Sequence, residues 1–259
     1  MEADDVVAKD ATLSIVAFRY HARLGHFLRA ESSASALSYP LPPRTVLLGL
    51  CGGVIGLEKD EPQRLFATAS FAVLGRAPLT HWHRAKLRKT DPELLPPTIT
   101  RSQRAAGTGR PEQATLIRQE LLMTPDFTVV AALPKPYHGE LATRLASGRW
   151  HFSPFMGLSE FIARLEWLGD GSASKLPEGD YDCWSVAARP LVTIDTARIF
   201  RDGLAVHLGT ERLPRAVTPD RVFTHEEYYV ERAGRPLPVR TANAWAARWG
   251  DEERVVVWL

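Results

Sequence analysis

Ser38-Tyr-Pro-Leu-Pro-Pro-Arg-Thr-Val-Leu-Leu-Gly-Leu-Cys-Gly-Gly-Val-Ile-Gly-Leu57 is the stretch from which the rest of the chain can be read. Three prolines, Pro40, Pro42 and Pro43, open it, and four glycines, Gly49, Gly52, Gly53 and Gly56, punctuate the apolar run that follows. The first turn of a helix has N–H groups without intrahelical partners, so it accepts proline; the spacing predicts a helix entered at about Pro43 and ending near Gly56. Each glycine disfavours a helix by roughly 0.8–1 kcal/mol against alanine, so four of them need a reason. Gly49, Gly53 and Gly56 fall at i, i+4 and i+7 on one face. A face without side chains admits another backbone, that of a sheet or of a bound polymer. The glycines do not form a phosphate loop. GxxxxGK[ST] is absent, Gly52-Gly53-x-x-Gly56 is not GxGxxG after a strand, and the helix starts well before them.

Upstream, Leu13 to Tyr20 is rich in β-branched and aromatic residues and reads as a buried strand. The loop that follows, His21 to Leu37, carries His21, Arg23, His26 and Arg29. Downstream, Leu65, Ala67, Ala69, Phe71 and Val73 share one face while Thr68 and Ser70 lie on the other, which predicts a half-buried strand over Leu65 to Leu74. Thr115 to Leu133 reads as strand, a turn at Thr124-Pro125-Asp126, and strand again. Glu140 to Ala146 reads as a short helix stopped at Gly148. Leu158 to Leu168 fits both periods: Phe161, Ala163, Leu165 and Trp167 alternate, while Leu158, Phe161, Ile162, Leu165 and Leu168 share a helix face. Polar, turn-rich Gly169 to Gly179 reads as a linker. Short β-like runs follow it, at Leu191 to Ile194, Leu204 to Leu208, Val222 to Val230 and Val255 to Leu259.

Between Arg76 and Glu112 the periodicity disappears among five prolines and two glycines. A structureless insertion of this length in a compact domain is functional or disordered. From His81 to Arg110 it holds seven basic residues, Arg84, Lys86, Arg88, Lys89, Arg101, Arg104 and Arg110, against Asp91 and Glu93, a net +5 that leaves the rest of the chain at −3 of the total +2. A basic protrusion on a slightly acidic body fits contact with a phosphate backbone. Trp82 lies in the same segment and is able to stack on a base.

The bulk numbers exclude other classes. A chain of 259 residues suits one large or two smaller domains, and its 45% hydrophobic and 24% charged residues are ordinary for a globular protein. The two cysteines, Cys51 and Cys183, form no CxxC pair and read as reduced thiols of a cytoplasmic protein. The acidic start Met-Glu-Ala-Asp-Asp lacks the basic region of a signal peptide, and the longest apolar run, Val46 to Leu57, is too short to span a bilayer. His81-x-His83 has no nearby cysteine, so no metal is expected, and no cofactor. General acid–base cleavage of RNA needs a histidine near a basic group. His21 and His26, or Lys135, Tyr137 and His138, offer the residue types without a diagnostic spacing.

With a strand at Leu158 to Leu168, the order to that point is βαββαβ, the ferredoxin-like split unit, which leaves one sheet face open as in single-strand RNA binders. The expected class is α+β. A ferredoxin-like domain spans residues 1–172, with a basic insertion at about 76–114, and a small β-rich domain spans residues 173–259.

Two segments resemble the Cas-five family of CRISPR-associated proteins, in the RAMP superfamily. One runs from Leu13 to Leu57, with Phe18, His26-Phe27-Leu28-Arg29 and the Tyr39-Pro40-Leu41-Pro42-Pro43 lead-in to the glycine helix. The other runs from Ile117 to Gly169, with Arg118-Gln119-Glu120-Leu121-Leu122 and Pro154-Phe155-Met156-Gly157-Leu158-Ser159-Glu160-Phe161. The resemblance implies a ferredoxin-like domain with a protruding thumb, here the basic insertion, and favours a strand at Leu158 to Leu168. It implies a subunit that caps a type I Cascade complex and holds the 5′ handle of crRNA. Its neighbours would be the backbone subunit (Cas-seven family) and the large subunit (Cas-eight family), with target DNA reached through the complex. The type I-C branch instead cuts precursor crRNA with a tyrosine, a lysine and an adjacent histidine. No Lys-His dipeptide occurs here, so the expectation is a non-catalytic, type I-B-like binding subunit without membrane association. The candidate RNA-binding residues are Arg23, His26, Arg44, Trp82, Arg84, Lys86, Arg88, Lys89, Arg101, Arg104 and Arg110.

Overall fold

The computed structural model describes residues 11–29, 35–88 and 114–259, with residues 85–88 and 114–115 described through their backbone alone. The glycine-rich stretch is a helix, α1 (Arg44–Ile55), with Pro43 as N-cap and Gly56 as C-cap at φ 88°, the left-handed region that glycine enters without strain. Leu47, Leu48, Cys51, Val54 and Ile55 face inward and are buried, and burial pushes the Cys51 thiol up to about 12.

Beneath α1 lies β1 (Thr12–Ala22), an inner strand of the sheet. It pairs antiparallel with β9 (Asp126–Ala132) on one side and β10 (Ala163–Lys175) on the other, and β6 (Ser70–Leu74) adds to β9. The local order is therefore β10-β1-β9-β6. Val16, Phe18 and Tyr20 of β1 pack with α1 and with Leu141 and Leu145 of the helix Tyr137–Ser147.

The opposite face was expected to be open, and it is not. Ile15, Ala17, Ala72 and Val130 are fully buried with Ala173, Ala247, Trp249 and Val256. The sheet continues past β10 through β17 (Trp245–Trp249), β18 (Glu252–Val256), β11 (Gly179–Cys183), β16 (Leu237–Thr241) and β13 (Thr193–Ile194), nine strands in all. It curls back on itself: Val186 N–H donates to Val73 (3.0 Å) and Leu259 N–H to Phe71 (2.8 Å) along the outer edge of β6. Close approach of β10 and β17 requires glycine at one point. A Cβ on Gly171 would stand 1.9 Å from the Arg248 carbonyl oxygen of the neighbouring strand.

Three local readings are corrected. Leu65–Leu74 is not one strand: α2 (Glu61–Leu65) and a turn precede β6, in which Phe71, Ala72 and Val73 are all buried because the helices cover one face and the curled sheet the other. The segment Gly169 to Gly179 is mostly strand, so the boundary expected at 172/173 falls inside β10, and the strands after it extend the same sheet. Arg76 to Glu112 is not structureless at its start, since β7 (Leu79–Arg88) pairs over ten residues with β8 (Ala114–Met123). Thr80 to Arg84 are exposed on both faces, which leaves no apolar alternation to read. Of Leu158 to Leu168, only the part from Ala163 is strand, the start of β10; before it lie turn and bend residues and an isolated bridge between Ile162 and Phe155. A separate sheet, β12 (Ala187–Ala188), β15 (Phe223–Glu231) and β14 (Leu208–Val217), sets Leu213 and Tyr228 in the core that α1 caps.

Candidate nucleic-acid interface

The β7–β8 hairpin leaves the body where β2 (Leu24–Gly25) pairs with Leu122 and Met123 of β8. Thr124 N–H donates to Arg23 C=O at 2.9 Å and Ala22 N–H to Pro125 C=O at 3.1 Å, which fixes its root against the end of β1. Trp82 stands opposite Glu120, and Arg84 opposite Arg118. The Arg118 guanidinium lies 5.2 Å from the centroid of the Trp82 ring, and Trp82 remains 43% exposed. Like charges directly opposite on two strands repel. An anion between Arg84 and Arg118 relieves that repulsion, and a base on the free face of Trp82 extends the stack. The backbones of Lys86 and Arg88 continue β7 opposite Leu116 and Ala114. Lys89, Arg101, Arg104 and Arg110 lie outside the described residues.

At the hairpin root, Arg19, His21, Arg23 and Arg164 line a recess of about 560 Å³ with Asp126 and Ile162. Two of these side chains, Arg19 and His21, are already engaged. Arg19 donates to both oxygens of Asp126 (2.8 and 2.7 Å) and to Glu166 (3.1 Å), and His21 Nε2 meets Glu166 at 2.9 Å. The Arg19 guanidinium holds the carboxyls of Asp126 and Glu166 below the usual carboxylate range. Arg23 and Arg164 are exposed and have no ion-pair partner among the described residues. They are free to meet phosphate.

Two other predicted ligands face inward. Arg44 is 8% exposed. Its guanidinium donates to the carbonyls of Arg215 (3.2 Å), Phe66 (3.4 Å), Ala67 (2.9 Å) and Ala69 (2.9 Å), tying α1 to the turn before β6 and to β14. Burial, then Arg215, lowers its pKa. His26 is 1% exposed, with Nδ1 2.7 Å from the Glu120 carbonyl oxygen. Burial holds it below the ordinary histidine value.

The glycine face of α1 divides. A Cβ on Gly52 would strike Pro62 at 2.2 Å and one on Gly56 would strike His151 at 2.7 Å, whereas one on Gly49 would meet nothing within 4 Å. The backbone that approaches within the chain belongs to the loop after the helix Tyr137–Ser147, not to the sheet: His151 N–H donates to Val54 C=O and Phe152 N–H to Gly53 C=O, both at 3.0 Å. Beside it, Gly49, Gly53, Leu50, Phe152 and Phe155 line an open groove of about 300 Å³.

Sequence reasoning did not single out Arg118 and Arg164 as candidates. Arg118 belongs to the conspicuous Arg118-Gln119-Glu120 run, but its place opposite Arg84 depends on a register that no local pattern gives. Among the described residues no cluster of three metal-ligating side chains occurs, and no helix is long and apolar enough to cross a membrane.

These features define a mixed α/β protein whose curled sheet carries a cationic two-stranded hairpin. Residues 15–233 match the family described as CRISPR-associated protein (Cas_Cas5). The chain belongs to this Cas5 family of CRISPR-associated proteins. Its fold is similar to a chain of a CRISPR RNA-guided surveillance complex, at 17% identity and TM-score 0.52 over 87% of this chain and 91% of that one. A CRISPR protein from Archaeoglobus fulgidus aligns over 95% of this chain and 99% of its own, at 13% identity and TM-score 0.49. No curated protein matches the sequence.

Proposed function

We propose that this chain is the non-catalytic subunit of a type I, type I-B-like Cascade complex that holds the 5′ handle of crRNA. The observation that carries the reading is the facing pair Arg84 and Arg118 beside the arginine-stacked, half-exposed Trp82. Two like charges held opposite each other on an exposed ribbon suit a bound polyanion. Arg23 and Arg164 at the root extend the same track. The order β10-β1-β9-β6, with both longer helices on one face, supports reading the core as ferredoxin-like and the β7–β8 ribbon as its thumb. The backbone subunit (Cas-seven family) and the large subunit (Cas-eight family) are the protein partners on this reading, target DNA is engaged through the complex, and the site is cytoplasmic. The test is binding of the full-length chain to RNA copied from the repeat of its own CRISPR locus. Affinity should fall steeply with salt and drop in the Arg84→Ala/Arg118→Ala variant; equal affinity in that variant would sink the assignment.

One observation favours a second reading, a metal-independent endoribonuclease. Lys135 and His138 open on one cavity of about 790 Å³ with Ser14 and Ser70. Repeat RNA incubated with the protein in EDTA decides it: cleavage lost in His138→Ala would replace the binding-only role, and intact RNA would leave it in place.

A further inference from the structure

One buried polar atom has no partner to explain it. His26 Nδ1 lies 2.7 Å from the Glu120 carbonyl oxygen, which only accepts, so Nδ1 carries the proton and Nε2 is a bare acceptor. Nε2 is buried and unpartnered. An unmet buried acceptor is costly, and in a native structure it calls for an explanation. His26 lines a cleft of about 190 Å³ that is mostly apolar, walled by Leu28, Pro43, Val46, Leu158 and Phe223, with Tyr39 and Thr45 also in its lining. That is the space of roughly six waters at ~30 Å³ each, enough for a flat ring system and too small for a whole nucleotide. The cleft lies at the foot of the hairpin, because the residue whose carbonyl holds His26, Glu120, stands opposite Trp82.

We infer that this cleft receives one unstacked nucleobase of the bound RNA, with His26 Nε2 accepting an N–H from the base edge; the inference rests on the RNA-binding reading above. A base slides between the apolar walls, its ring excluding water and its donor satisfying Nε2. An entering base must displace a wall to reach that atom, and Leu28 and Phe223, 56% and 38% exposed, have room to turn. The ribose and phosphate stay outside, within reach of the hairpin cations. The chemistry selects for a base that is flipped out of the stack and offers an N–H.

The test uses full-length protein and a fluorescent RNA copied from the repeat of its CRISPR locus, with an abasic residue placed at each position in turn. In the wild-type protein one abasic position should weaken binding about tenfold, the loss of one good hydrogen bond with its packing. In His26→Phe the intact RNA should bind about tenfold more weakly and that position should become silent. Val46→Trp, which fills the cleft and leaves the His26–Glu120 hydrogen bond alone, should silence the same position. His26→Gln, which keeps an acceptor, should restore part of the dependence. Tight binding with superimposable abasic profiles in wild type, His26→Phe and Val46→Trp would overturn the base cleft and leave the RNA-binding role standing. Absence of RNA binding by the wild-type chain would overturn both.

Discussion

Gly157 stands so close to the backbone of His26 that a Cβ on it would lie 1.8 Å from the His26 carbonyl oxygen. Its φ of +90° is also one that other residues rarely adopt. Two stretches far apart in sequence are thus locked at one point, and His26 N–H donates to Met156 C=O beside it at 3.0 Å. Gly157→Ala should lose about 3 kcal/mol or more of stability, since strain and a backbone clash add. Urea denaturation measures it, and a loss near zero would mean that the loop shifts freely.

Arg44→Ala should cost about 3–5 kcal/mol, because four carbonyls lose a buried cationic donor at once. Arg44→Lys should recover little, since an ammonium is a compact point donor without the fork that spans these carbonyls. Neither change should alter the salt dependence of RNA binding in protein that remains folded. A changed slope would return Arg44 to the interface.

For the hairpin, removing one cation that neutralises a phosphate lowers the log–log salt slope by about 0.7 on a single strand. Arg84→Ala/Arg118→Ala should therefore reduce the slope by about 1.4. Trp82→Ala should leave the slope unchanged and cost about 1–3 kcal/mol of binding. Fluorescence anisotropy over a series of salt concentrations separates the two effects.

Stability should fall on acidification below about pH 6.5, the ordinary histidine value. His26 and His138 are both held below that value by burial. Below it the unfolded chain takes up protons that the folded chain refuses, so their contribution is present above the unfolded value and lost as pH falls through the folded one. The urea midpoint from pH 8 to pH 5 should drop less in His138→Gln than in the wild-type protein. Equal drops would assign the acid limb to carboxylates such as Asp126, whose lowered pKa acts further down the scale.

What could be read in advance follows from range. Pro43 and Gly56 mark α1 by local backbone chemistry, and Thr124-Pro125 marks the β8–β9 turn in the same way. That Arg44 and His26 are buried does not show in the sequence, because residue type carries no record of distant carbonyls. The partners of Arg44 lie as far as 171 residues away, and that of His26 lies 94 away. The open sheet face failed for the same reason: Ala247, Trp249 and Val256, which cover it, lie more than 220 residues along the chain from Ile15 and Ala17. The partial legibility of the interface is the reverse case, since the density of cations in the insertion is a local property, while the facing of Arg84 and Arg118 is not.

The inner place of β1 carries a cost in time. It leaves the ribosome well before the strand it pairs with, since Arg19 reaches Glu166 on β10 across 147 residues. At about 5–20 residues per second that neighbour arrives roughly 7–30 s later. Until β9 emerges, with Asp126 107 residues after Arg19, Ile15-Val16-Ala17-Phe18, apolar toward both sides, has neither flank covered. The nascent chain must be shielded or left uncollapsed until its second half appears, and slowing translation late in the message should lower soluble yield more than slowing it early.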